Sequence, residues 1–409
     1  MKLKKSFFIL SILIAVSISL LSLKSGDQGS WEQFRGNNRN GASIETNINE
    51  EWLSNSPELV WKKSIGSGFS ELLVSNGKVF TMTGEKTDSL KGLEFMVAYD
   101  AKTSEEVWKT YVDSMMIEPD GSGDGPRPTP AIDEKAIYCL SSHGKLRALS
   151  LDDGEILWTV DFLKKFDNKP GWNYTTSPIL YNDGLFIEVG GTESRGFASF
   201  DKDTGEVLWV NGEGRPSYCS PTIAAIDGGI HVIFANGTQL MSFDKTGNEL
   251  WSYSMPIQSP TATPLFIAPN KIFMSSNAGC FMIKIENNEA TEVFDSKSMR
   301  NTFSTSCYFN DHIYGISRGG ALKCISASDG ESKWSQRGFG LGSLIRVGNK
   351  LLALSDKGVV KLVEAVPEAY TEKVSFQAIE GKSYTAPSFA NGKLYLRNLT
   401  EMVSYKLVY

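Results

Sequence analysis

Histidine is scarce in this chain. His143, His231 and His312 are the three among 409 residues, placed in a hairpin turn, a strand and a turn. That dispersion excludes a histidine-built metal or catalytic cluster. Cysteine is scarce as well, with five residues: Cys139, Cys219, Cys280, Cys307 and Cys324. An odd count leaves at least one thiol unpaired. None of the spacings suits a metal, so the expected role is that of small buried apolar residues. An oxidising compartment leaves room for one disulfide. Positive charge is not in excess, since 41 Lys and Arg stand against 47 Asp and Glu for a net charge of −6. Nucleic acid demands a basic surface, so that class is excluded. The same balance argues against electrostatic binding to an anionic membrane.

An uncharged, mostly apolar run occupies residues 7–23, behind Lys2, Lys4 and Lys5. Residues 1–25 therefore read as a secretory signal, or, since no A-x-A site follows, as an uncleaved N-terminal anchor. Positive charge ahead of the run places the rest of the chain outside the cytoplasm, in the periplasm or beyond. No cysteine precedes Cys139, so the sequence offers no lipid-attachment residue.

What the chain has in abundance is repetition. Eight times a strand-like segment reaches a tight turn and then a large apolar residue: Trp61, Trp108, Trp158, Trp209, Trp251, Phe294, Trp334 and Val374. The spacings are 47, 50, 51, 42, 43, 40 and 40 residues. A period of this length with four short strands per unit indicates a propeller. In the fullest copy, Asp201-Lys202-Asp203-Thr204-Gly205-Glu206, the Asp carboxylate suits an Asx-type turn. The Trp of each fourth strand is expected to pack between blades, burying on the order of 150–250 Å².

A second series marks the first strands: Thr129-Pro130, Ser177-Pro178, Ser220-Pro221, Thr263-Pro264 and Ala386-Pro387, with Cys307 and Leu344 in the proline's place in two others. Proline cannot donate to a ladder and belongs at an edge, which assigns these strands to the wall of the central channel. The chain stops after a third strand, while residues 58–62 read as a fourth strand lacking its first three. The expected fold is all-β: an eight-bladed propeller of four-stranded antiparallel blades over residues 58–409, closed by the strand around Trp61 joining the last blade. Residues 26–57 form an extension before it. The first full unit carries insertions at 84–94, within a hairpin, and at 113–125.

First strands converge at the channel mouth, so the residues just before them are the candidate ligand-binding set: Arg127, Trp172, Asn173, Tyr174, Arg215, Tyr218, Gln258, Arg300, Asn301, Phe303, Lys382 and Tyr384. Aromatic and amide groups beside arginines suit a planar anion or a peptide carboxylate. Water-facing loop residues without a ligand are the plainer expectation. Asp120 and Asp124, with Asp113 and Glu118 nearby, are a candidate calcium loop, but their spacing is not that of an EF-hand, and a solvated acidic loop accounts for them. Gly315-Ile316-Ser317-Arg318-Gly319 matches G-x-S-x-G without the strand–turn–helix setting a nucleophile elbow requires. Residues 338–342 are glycine-rich but precede a strand, so they are no phosphate loop. Asn173, Asn236 and Asn398 begin Asn-x-Thr sequons.

The turn-and-Trp repeat resembles that of pyrroloquinoline-quinone (PQQ) type propellers. Trp31-Glu32-Gln33-Phe34-Arg35-Gly36-Asn37-Asn38-Arg39-Asn40-Gly41 is similar to the W-x-Q-F-R-G-x-x-R-x-G opening of secreted bacterial PQQ-like repeat proteins. The resemblance covers residues 31–409 and implies the fold and an exported location. One branch, the quinoprotein alcohol dehydrogenases, implies PQQ with calcium in the funnel, an Asp base and an adjacent Cys-Cys pair; this chain has no adjacent cysteines. The other branch, resembling the outer-membrane assembly lipoprotein BamB, implies a non-enzymatic scaffold; this chain lacks its lipid-attachment Cys. No catalytic residue set is recognisable. The leading expectation is thus an exported, non-enzymatic propeller binding a protein or peptide in the cell envelope without a cofactor. A PQQ- and calcium-dependent dehydrogenase is the alternative. A glycan-binding module using Trp172, Tyr174 and Tyr218 is a third.

Overall fold

The computed structural model describes residues 29–48, 56–118, 121, 123–167, 173–190, 193–213, 218–258 and 260–408. Eight four-stranded antiparallel sheets follow one another around a ring. Blades 1 to 7 span 73–114, 131–161, 179–211, 222–254, 265–296, 307–337 and 343–377. Blade 8 takes three strands from 388–406, and its outermost strand is Glu58–Ser64, paired with Glu401–Lys406. The first and last strands in chain order thus share one sheet, and closure is by main-chain bonds between them. One short helix, Phe162–Phe166, sits between blades 2 and 3 and packs Phe162 and Phe166 on Phe200.

The repeat is built from one turn and one ring. In blade 3 the Asp201 carboxylate accepts the N–H groups of Asp203 and Thr204 at 3.1 and 2.8 Å, and Thr204 Oγ1 accepts from the Glu206 N–H at 3.2 Å. Asp100 and Thr103 repeat the arrangement in blade 1. The turn's glycine lies flat against the aromatic ring of the preceding blade. A Cβ on Gly205 would stand 2.7 Å from Trp158 Cε3, and Gly154, Gly247 and Gly330 face Trp108, Trp209 and Phe294 in the same way.

The indole N–H completes the joint. Trp61, Trp108, Trp158, Trp209 and Trp334 donate to the carbonyls of Ala101, Leu151, Lys202, Lys245 and Val366, each in the same turn of the next blade, at 2.8–3.2 Å. Trp251 instead donates to His231 Nδ1 within its own blade, at 3.0 Å. Five of these indoles therefore couple neighbouring blades, while the His231 ring is taken up by Trp251 within one blade.

All five cysteines are free and buried. Burial pushes the Cys139 thiol up to about 12 and those of Cys280 and Cys324 to about 11. The extra residues at 84–94 lie within the hairpin of Lys78–Lys86 and Gly92–Asp100, as expected, and mostly lengthen its strands. One local expectation is corrected. In blade 6, hairpin register pairs Cys307 with Tyr314 as Ala131 pairs with Tyr138, so Ser306, not Cys307, holds the proline's place. Among the described residues no helix is long and apolar enough to cross a membrane. The 1–25 segment lies outside them.

Candidate functional site

The residue before the proline position carries a hydroxyl in most blades, and these hydroxyls form a belt around the channel. The N–H of Glu71 donates to Thr129 Oγ1, that of Thr129 to Ser177 Oγ, that of Ser177 to Ser220 Oγ, that of Ser220 to Thr263 Oγ1 and that of Thr263 to Thr305 Oγ1, at 2.9–3.4 Å. Each bond joins one blade's first strand to the next. Ser343 Oγ donates to the Thr385 carbonyl, and Thr385 Oγ1 to the Phe69 carbonyl, on the side where blades 7, 8 and 1 meet. A first strand's inner edge would otherwise leave N–H groups unpaired in the wall.

The channel enclosed by this belt holds the chain's own N-terminal segment. Trp31 pairs through both its N–H and its carbonyl with Val74, on the inner edge of blade 1. Gln33 bridges Ala131 of blade 2, and Ala42 bridges Arg346 of blade 7. Arg39 donates from its two terminal nitrogens to the carbonyls of Pro178 and Ser177 in blade 3, at 2.8 and 2.6 Å. Arg35 donates to the Ser306 carbonyl of blade 6 at 2.9 Å. Thirteen residues thus touch the first strands of five blades, which places residues 31–43 on the ring's axis. The segment's flanks lie by the hairpins joining first and second strands. Glu45 Oε2 accepts from the Gly392 N–H at 2.8 Å, and Gly29 abuts Asn391. The mouth lies at the opposite end of the first strands.

Glu71 stands where other blades carry the belt hydroxyl, and it receives the segment. Its Oε2 accepts Trp31 Nε1–H at 3.1 Å and the Arg35 N–H at 2.8 Å. Burial lifts its carboxyl to about 7, against the lowering effect of those two bonds and of the nearby guanidinium groups. Burial likewise brings Arg39 down to about 9 against the attraction of Glu71. Desolvation therefore outweighs the charge attraction for both groups.

The mouth residues expected from sequence go different ways. Tyr384 is half-buried and stacks on Phe69, with centroids 6.3 Å apart and planes 8° from parallel. Arg127 lies over the other partner of that pair, Phe69, at 5.6 Å and forms an ion pair with Glu118 at 3.0 Å; Lys382 Nζ lies 4.9 Å from the Tyr384 ring. These residues do come together, beside blades 8, 1 and 2. Arg300 is half-buried, and its N–H donates to Ser317 Oγ. Gln258 is exposed, and so is Phe303, at 59%. Asn173 and Tyr218 are half-buried with positive φ of 59° and 67°.

Two members turn inward. Tyr174 is buried, donates its hydroxyl to the Val189 carbonyl and packs on Phe162. Asn301 is buried and donates to the Ile316 carbonyl while accepting from Ser306 Oγ. Trp172 and Arg215 lie outside the described residues, as does Asp120. Asp124 is occupied by Lys86 at 2.7 Å and by the Glu118 N–H. Asp113 is buried against Lys145 and Ser141. Among the described residues no three acidic, His or Cys side chains group as metal ligands. Asn236 and Asn398 are buried, each with its amide nitrogen donating to a main-chain carbonyl, so those two sequons are closed to modification in the fold.

Phe69, Glu71 and the axial placement of Arg35 and Arg39 were not found from sequence. The available signal was Glu71 itself, an acid at the belt position that carries Ser or Thr in six of the other seven blades.

The profile of the family described as outer membrane protein assembly factor BamB matches residues 52–163 and 94–336. Comparison with curated proteins finds no significant match. Among solved structures, BamB from Moraxella catarrhalis is similar with a TM-score of 0.63 at 15% identity, over 85% of this chain and 97% of that one. Quinohemoprotein alcohol dehydrogenase from Comamonas testosteroni gives a TM-score of 0.67 at 12% identity, over 93% and 80%. A europium-containing methanol dehydrogenase gives 0.66 at 12%, over 91% and 90%. At such identities the likeness concerns the fold alone, which binding proteins and enzymes share. The family profile, spanning more than half of the chain, goes further: the protein belongs to the PQQ-like repeat propellers of the family described as outer membrane protein assembly factor BamB.

Proposed function

We propose that the protein is an exported, non-enzymatic propeller of the cell envelope that binds a protein or peptide partner at its channel mouth or on a blade face. The observation that carries this reading is the occupation of the axis by residues 31–43, held by Arg35, Arg39 and Glu71. A quinone in the funnel needs open space above an aromatic floor, a calcium ligand set and an Asp base. The described mouth residues speak against it. Arg127 is committed to Glu118, Tyr384 to Phe69, and Asp124 to Lys86. Family membership adds support, because the matching family is named for an assembly factor and not for a catalyst. Export rests on the apolar run at 7–23 and the lysines ahead of it.

The test is turnover. Purified protein given PQQ and millimolar calcium, with alcohols or aldose sugars and an artificial electron acceptor, is expected to reduce no acceptor above a protein-free control. Substrate-dependent reduction would overturn the reading in favour of a quinoprotein dehydrogenase.

A further inference from the structure

We infer that the channel is a binding site for a turn-forming peptide carrying two arginines four positions apart, and that residues 31–43 are such a ligand, docked from the same chain. The inference deepens the reading of the protein as a binding module and rests on it. Three features of the segment are those of a ligand and not of a blade.

First, its bonds are those of strand-edge addition. Trp31 with Val74, Gln33 with Ala131 and Ala42 with Arg346 pair main chain to main chain on the free inner edges of three blades. Second, both guanidinium groups are read by carbonyls of the wall. Ser177 and Pro178 take Arg39, and Ser306 takes Arg35, in blades 3 and 6. Planar guanidinium presents fixed, forked donors that lysine cannot reproduce. The fit is also unfinished: Arg35 Nε, Arg39 Nε and Glu71 Oε1 are buried without a hydrogen-bond partner among the described residues. Third, the segment folds on itself in turns, bonded from the N–H groups of Gly36, Arg39 and Gly41 to the carbonyls of Gln33, Gly36 and Arg35. Arg35 and Arg39 both have positive φ, 63° and 53°, sparsely populated by non-glycine residues outside turns. These turns carry both guanidinium groups to the wall.

Glu71 supplies the remaining recognition, taking Trp31 Nε1–H and the Arg35 N–H on a single oxygen. A ligand tethered in this way competes at an effective concentration on the order of millimolar. A free peptide of the same sequence therefore meets a filled site in the intact protein.

The probe is a fluorescent peptide of residues 29–47, with a companion in which both arginines are lysine. Against full-length wild type at micromolar concentration, no binding is expected. Against full-length R35A/R39A, the arginine peptide should bind one to one, and at least tenfold more tightly than the lysine peptide. Equal affinity for the two peptides would overturn the inference, and so would no binding to a double variant that still melts cooperatively. Should the double variant fail to fold, a protease site inserted between Asn47 and Ile48 and cut after folding gives a second measurement. The nicked wild-type segment should exchange with the labelled peptide. Aggregation or unfolding on nicking would show instead that residues 31–43 are an integral part of the fold. Either failure leaves the non-enzymatic reading standing, because that is decided by turnover.

Discussion

Gly205→Ala isolates the joint between blades. Gly205 has a φ of +73°, and an added Cβ would stand 2.7 Å from Trp158 Cε3 and 2.8 Å from Cδ2. Two costs follow. The left-handed backbone costs a non-glycine residue roughly 1–2 kcal/mol. The clash is with a ring held by neighbours, so Trp158 must shift, which brings an overpacking cost of about 1–3 kcal/mol. It also loosens the 2.9 Å indole bond to the Lys202 carbonyl, worth about 1 kcal/mol. The sum is on the order of 3–6 kcal/mol. Gly228→Ala is the control, for Gly228 has nearly the same φ, +77°, with nothing within 4 Å of the added Cβ. It should cost only the backbone share, about 1–2 kcal/mol. Equilibrium urea melts followed by tryptophan fluorescence compare the two. A double-mutant cycle with Trp158→Leu should recover most of the excess, since the clash needs the ring. Equal destabilisation by the two glycine substitutions, or a Gly205 cost unchanged by removing the ring, would refute the coupling.

Stability should also fall with rising pH through the titration of Glu71. Its carboxyl is raised from 4.5 to about 7 by burial. The folded state therefore binds the extra proton between these values, and the stabilisation present below pH 4.5 is lost as pH rises past 7. The loss is up to about 3 kcal/mol. Glu94, also raised to about 7 by burial, acts in the same window, so urea melts at pH 5 and 8 should show Glu71→Gln halving the difference and the Glu71→Gln/Glu94→Gln pair removing most of it. Arg397→Ala should cost on the order of 3–5 kcal/mol, because the buried guanidinium reaches from blade 8 to Thr81 Oγ1, the Met82 carbonyl and the Gly66 carbonyl of the blade 1 side, leaving acceptors unsatisfied; a chemical melt measures it. No thiol should react with an aromatic disulfide reagent in the native protein, and five should react in denaturant, as all five are buried.

The Trp and proline series made the ring, its eight blades and its closure legible, because each mark recurs with the blade and each has one physical reason to do so. The turn of blade 3 was legible for the same reason, with Asp201 and Gly205 fixing it. The site was less legible. Residues before a first strand alternate in direction, so Tyr174 and Asn301 read as mouth residues although their side chains point inward. Arg35 and Arg39 were quoted as a motif but could not be placed. Their partners are main-chain carbonyls of Ser177, Pro178 and Ser306, which leave no side-chain signature. Glu71 was visible only as a break in a hydroxyl series that itself became plain once the belt bonds were seen.

The account's central claim is that the protein's own segment, and not a cofactor, occupies the channel axis. Equilibrium titration of the full-length protein with PQQ at millimolar calcium, followed by tryptophan quenching and by ultrafiltration of free quinone, tests it most directly. The account predicts no saturable binding. One equivalent of PQQ bound with calcium dependence, together with displacement of Trp31 from Glu71 seen as loss of amide-exchange protection at Trp31 and Val74, would contradict it.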